Sequence, residues 1–201
     1  MHARRTPAPR DFASRVSQTR MFQTIALPVI RAIDRFTGKF VYLVTLLLVP
    51  MILANVVEVF MRYVLGTPTI WAADVTVMTY GSLFMLGSAY TLFKGAHVRT
   101  DIFWDRFSER TKGIIDSIAY LFLFLPVMGL IFAISVDDLV YAYSIDERST
   151  LSLWRPIVWP FRAVIPLSAL LMFAQGVSEL LKALWAASTG RELEHREKVL
   201  I

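Results

Sequence analysis

The sequence of 201 residues contains no cysteine. Disulfide frameworks, thiolate metal sites and cysteine nucleophiles are therefore excluded. Histidine is almost as scarce, with His2, His97 and His195 as the whole complement. Charged side chains make up only 18% of the chain, against about 25% in soluble domains. There is no glycine-rich phosphate loop and no nucleophile elbow. An inverted internal repeat, the mark of a self-sufficient secondary transporter, is also missing. What fills the chain is apolar: 56% of residues are hydrophobic and the mean hydropathy is +0.54. That excess excludes disorder, which needs low hydrophobicity, and argues against an ordinary soluble enzyme.

The scarce charges leave four long gaps. Residues 40–57, 75–93, 117–136 and 163–178 carry no Asp, Glu, Lys or Arg. About 20 helical residues at ~1.5 Å each cross a hydrocarbon layer of ~30 Å. All four gaps approach that length and are rich in Leu, Ile, Val, Phe and Met. Pro50, Pro126 and Pro166 lie inside them, where a membrane helix tolerates proline better than a soluble one. A soluble bundle would need a polar face on each helix, and Leu121–Ile134 has none. The first gap starts too late and runs too long for a secretory signal peptide, so none is expected. None of the histidines falls in a gap, which excludes a haem bundle held by paired histidines.

The basic residues then set orientation. Segments 1–39, 94–116 and 179–201 together hold 17 Lys and Arg, while 58–74 and 137–162 hold 4. The positive-inside rule places both termini and the middle loop in the cytoplasm. The formal net charge of +5 is thereby explained by topology, which removes the main support for nucleic-acid binding. Tyr63, Trp71, Tyr141, Tyr143, Trp154 and Trp159 flank the outer ends, as expected of an aromatic belt.

The predicted fold is an all-α integral membrane protein. It has four transmembrane helices, at about 39–61, 71–93, 114–137 and 156–180, within a membrane domain over 29–185. Residues 1–28 are expected to be disordered and 186–201 to form a cytoplasmic tail. Ile30, Ile33, Phe36 or Thr37, and Phe40 recur at helical spacing among Arg31, Asp34, Arg35 and Lys39. This pattern predicts a short amphipathic helix in the inner interface, leading into the first span. A second interfacial helix is expected around Ile102, Phe103, Trp104 and Phe107.

Within the four gaps the only ionisable side chains are tyrosines, whereas an ion or proton path shows charged groups at membrane depth. No catalytic, cofactor or metal residues are assigned. The remaining polar groups sit at span ends. Glu58 and Arg62 are spaced i, i+4 and share a helix face. Asp74, Gly81 and Ser88 repeat every seven residues, a stripe that permits close helix approach. Arg62 is expected to reach Asp74 across a short loop. Such a pair would order a docking face, or serve interfacial anchoring alone. His97 and Arg99 lie where loop residues meet lipid phosphates, and Trp154 and Trp159 at the opposite interface.

These motifs resemble a known family. Glu58-Val-Phe-Met-Arg62-Tyr63-Val followed by Trp71-Ala-Ala-Asp74 is similar to the "RY…W…E" signature of the small, DctQ-type membrane subunit of TRAP transporters. Lys94-Gly-Ala-His97-Val98-Arg99-Thr-Asp101 resembles the family's stretch after the second span. Ser149-Thr-Leu151 through Trp154, Pro156, Trp159 and Pro160, then Pro166 to Met172, resembles its entry into the fourth span. Asp74 stands where the family usually has glutamate. The likeness covers residues 29–185. It implies an accessory scaffold subunit in a bacterial inner membrane, paired with a large multi-span subunit and a periplasmic substrate-binding protein. It further implies import of an organic anion such as a C4-dicarboxylate, with sodium coupling on the large partner subunit. The competing classes are a loop-sited membrane enzyme or redox protein, and a self-associating small channel.

Overall fold

The computed structural model describes residues 9–95 and 107–190. The described residues are helical apart from turns and a single isolated bridge between Arg148 and Ile157. Helix α1 spans Pro9–Thr45 and α2 spans Leu48–Tyr63; α3 follows over Ala72–Phe93. Helix α4, Glu109–Ala119, passes through a π-helical turn at Tyr120–Phe124 into α5, Leu125–Ser144. A single turn, α6, covers Trp159–Arg162 and leads into α7, Val164–Thr189.

Prolines place the interruptions. Pro50 has no N–H to give to Leu46, and its ring crowds that carbonyl. The chain answers with a tighter turn just before it, in which Leu46 N bonds Leu43 O at 3.2 Å and Leu47 N bonds Val44 O at 3.0 Å. Pro126 plays the same part in the α4–α5 rod. There the helix widens by one residue, so that Leu125 N bonds Tyr120 O. Pro166 falls in the first turn of α7, where an N–H would be unsatisfied anyway.

Three stretches of the described residues are long and apolar enough to cross a membrane: Ala26–Tyr63, Glu109–Ser144 and Trp159–Thr189. The second expected span is the helix α3, but it does not reach that standard. Thr76, Thr79, Gly81, Ser82, Gly87, Ser88 and Thr91 dilute its apolar character. The reason is its position, since α3 packs against α1, α2 and α7 and has less lipid-facing surface to make apolar.

Helix α7 is the hub, with α1, α3, α4 and α5 all packed on it, whereas α2 leans mainly on α3. Small residues make the close crossings possible. A Cβ on Gly113 of α4 would lie 2.8 Å from Ala183 O and 2.9 Å from Ala186 C of α7. On Gly176 of α7 it would meet Phe124 Cδ1 at 2.8 Å, so the ring delivered by the π-turn fills the space a side chain would need.

One expectation at the N-terminus changes. Helix α1 begins at Pro9, and Pro at a first helical position is favourable. The amphipathic segment is not a separate short helix but the middle of α1. The face buried in the bundle against α3 and α7 is Ala26, Ile30, Asp34 and Thr37, while Phe36 of the expected apolar stripe stays 57% exposed. The expected interfacial helix around Ile102–Trp104 and the tail beyond Gly190 lie outside the described residues.

The α4–α7 crossing can be tested in detergent. Gly113→Ala is expected to destabilise by about 1–3 kcal/mol, the cost of overpacking. Gly87→Ala, which meets open space, should leave the thermal midpoint unchanged or raised. Equal midpoints for the two variants would contradict the close approach.

Candidate functional site

Polar side chains gather at two levels. At the end of α2, Arg62 Nε donates to Glu58 Oε1 at 2.8 Å, and Nη2 donates to the same oxygen. Glu58 Oε2 accepts from Thr69 N at 2.8 Å and from the Thr69 hydroxyl. Glu58 thus ties the α2–α3 loop back onto α2, while the Arg62 side chain stays 55% exposed. Tyr63 beside it is 79% exposed.

Asp74 does something else. It is 1% exposed, and its two oxygens accept the hydroxyls of Ser149 and Ser152. The expected reach from Arg62 is therefore not made, because each partner is taken elsewhere. Ser149 Oγ also accepts from Leu151 N at 3.1 Å, and Ser152 Oγ from Trp154 N at 3.2 Å. Asp74 in this way fixes the loop between α5 and α6 onto the first turn of α3, where the helix dipole favours a carboxylate. The same loop is closed by Ser149 N to Pro156 O and Val158 N to Glu147 O, both 2.9 Å. Asp146 and Arg155 occupy the left-handed region, at φ 47° and 46°, which shows how tightly the surroundings fix this backbone. Arg162 completes this level, donating to Asp138 of α5 and to Glu147 of the loop.

The other expected residues are placed as follows. Trp71 immediately precedes α3. Gly81 lies under the Phe161 ring, where a Cβ would meet Cζ at 2.9 Å. Ser88 Oγ bonds Met85 O within its own helix at 2.6 Å. Trp159 meets Tyr143 edge to face at 5.6 Å, and Trp154 is 47% exposed. His97 and Arg99 lie outside the described residues.

The deeper level was missed by sequence reasoning. Gln175 and Ser178 are fully buried, and Glu179 is 1% exposed. Asp34 of α1 faces them. Its Oδ1 accepts from Gln175 Nε2 and Ser178 Oγ, each at 2.9 Å. Its Oδ2 pairs with Lys182 Nζ at 2.6 Å, and that ammonium also reaches Glu179 Oε1 at 3.0 Å. Thr37 donates to Gln175 Oε1 at 2.9 Å. Phe93 of α3 lies against the ammonium, 5.6 Å from centroid to Nζ, at cation–π range. The available signal was Gln175, Ser178, Glu179 and Lys182 at i, i+3, i+4 and i+7, one face of a helix. No grouping among the described residues could hold a metal ion.

A family model described as the DctQ component of tripartite ATP-independent periplasmic transporters matches residues 51–185. The chain belongs to this family. No curated protein and no solved structure matches it. The DctQ match takes in Glu58, Arg62, Asp74, Glu179 and Lys182. It starts after α1, so Asp34, which completes the deeper network, lies outside it.

Two stability measurements follow. Lys182→Met removes the ammonium that Asp34 and Glu179 share and is expected to cost about 3–5 kcal/mol in detergent unfolding. Restoring balance with Asp34→Asn should recover part of that loss; no recovery would mean the two do not interact. Asp74→Ala and Arg62→Ala share no partner, so their destabilisations should add within about 0.3–0.5 kcal/mol. A smaller combined loss would restore the direct pair.

Proposed function

We propose that this DctQ-family chain is a fixed four-span support for the subunit that carries solute across a bacterial inner membrane. The observation that carries the reading is the way its buried charges are spent. Asp34 and Glu179 converge on Lys182, and Asp74 is closed by two serines. Groups tied to one another in this way hold helices together. The outside is the reverse: Val49, Ile52, Leu53, Val56 and Phe60 on α2, and Phe122, Leu130 and Ile134 on the α4–α5 rod, are exposed. Such a surface suits lipid and the helices of a larger partner.

Four spans follow if α3 is counted. Its 22 residues rise about 33 Å, enough for a hydrocarbon layer of about 30 Å. With four spans, the distribution of Lys and Arg puts both termini in the cytoplasm. DctQ-family subunits in general work with a large DctM membrane subunit and a substrate-binding protein. In the proposed assembly a periplasmic binding protein delivers an organic anion, a carboxylate, and the large subunit moves it using a sodium gradient.

Co-expression with the adjacent large subunit, followed by purification through a tag on this chain, tests the reading. A stable complex is expected, with sodium-dependent uptake in liposomes only when the large subunit and binding protein are present. Solute accumulation by this chain alone, or failure to retain the large subunit, would overturn it.

A further inference from the structure

One face of α1 is left over by the bundle. Opposite buried Asp34 and Thr37, a groove of about 400 Å3 is lined by Ala32, Arg35, Phe36, Lys39, Phe40 and Leu43. These positions follow i, i+3, i+4, i+7, i+8 and i+11, a single stripe of the helix. The Phe36 and Phe40 rings stack at 5.7 Å and 18°. Phe36 remains 57% and Leu43 61% exposed. Arg35 and Lys39 are exposed and form no ion pair with any described residue, unlike Lys112, Arg162 and Lys182.

The stripe is polarised along the helix. Its cations, Arg35 and Lys39, flank Phe36, and Lys39 is the last charge before the uncharged run of 40–57, so the stripe is purely apolar only beyond it. Its apolar half, Phe40 and Leu43, continues into that run. Such a gradient matches one molecule of the bilayer, with an anionic phosphate at the charged end and a hydrocarbon chain at the other. A partner helix would need acidic residues against Arg35 and Lys39 and apolar ones one turn deeper. A zwitterionic lipid would leave a positive excess unanswered.

We propose that this stripe binds an anionic phospholipid, with its headgroup on Arg35 and Lys39 and an acyl chain along Phe40 and Leu43. The proposed membrane orientation enters only in assigning the lipid to the cytoplasmic leaflet. Each basic side chain near an anionic headgroup strengthens binding by about fivefold, the equivalent of about 1 kcal/mol.

The test is native mass spectrometry of the full chain, purified alone and titrated with phosphatidylglycerol or phosphatidylcholine. Phosphatidylglycerol is expected to be retained more strongly. Arg35→Gln with Lys39→Gln should remove that preference, while R35K with K39R keeps it. An equal charge change elsewhere, Arg148→Gln in the outer loop, should leave it intact. If the double variant does not fold, Lys39→Gln alone should lower the preference about fivefold. Equal retention of the two lipids by the unaltered chain overturns the proposal. So does a double variant that keeps its lipid preference but no longer retains the large subunit, since the face would then belong to a protein. The lipid titration needs no partner, so its failure is separable from failure of the support role.

Discussion

The Lys182 ammonium, held between Asp34 and Glu179, is the contact on which the arrangement of the helices depends. It joins α1 to α7 at the level where the apolar runs end, and α7 in turn carries α3, α4 and α5. Charges removed from water stay tolerable only when every one is answered. Gln175, Ser178 and Thr37 supply the remaining hydrogen bonds to this network. Because lipid offers no hydrophobic force between helices, such contacts and tight small-residue crossings must supply the cohesion. Gly113 and Gly176 provide the second of these.

The opposite end of the bundle repeats the logic with different chemistry. Asp74 uses two serine hydroxyls rather than a cation, and so fixes a loop instead of a helix. Arg162 joins α5, the loop and α6 through two carboxylates. Both ends are thus tied by polar contacts, although Glu147 Oε2 stays buried without a hydrogen-bond partner, and the exterior is apolar. The DctQ match from residue 51 to 185 covers the Asp74 and Arg162 contacts and the α7 half of the Lys182 network. The α1 half lies beyond it, so the N-terminal helix is joined to the family-matched body through a buried charge.

Much of this was legible in the sequence because membrane helices announce themselves as gaps in charge. The α2 register of Glu58 and Arg62 was equally legible, since a pair four residues apart must share a face. What could not be read was long-range. Asp74 meets Ser149 and Ser152, 75 and 78 residues away, and nothing local favours them over Arg62. Glu179 and Lys182 fell just past the edge of an uncharged run. They therefore looked like charges at the end of the span expected over 156–180, although α7 continues to Thr189. Asp34 stood among Arg31, Arg35 and Lys39 and looked like one charge of a solvated face. Its burial follows from the full length of α1, which the apolar periodicity of 30–40 understated. The hydroxyl-rich α3 shows the opposite effect, with packing inside the bundle permitting a composition poorer than a lipid-facing helix needs.

The central claim is that α1 and α7 form one rigid body that does not rearrange while solute moves. The absence of cysteine allows two labels to be introduced cleanly, at exposed Tyr42 on α1 and exposed Leu184 on α7. Pulsed electron–electron distance measurement on the assembled transporter, at rest and during solute uptake, reads the separation directly. A single narrow distribution that is the same in both conditions is the predicted result. A second population that appears or grows during uptake would contradict a fixed support.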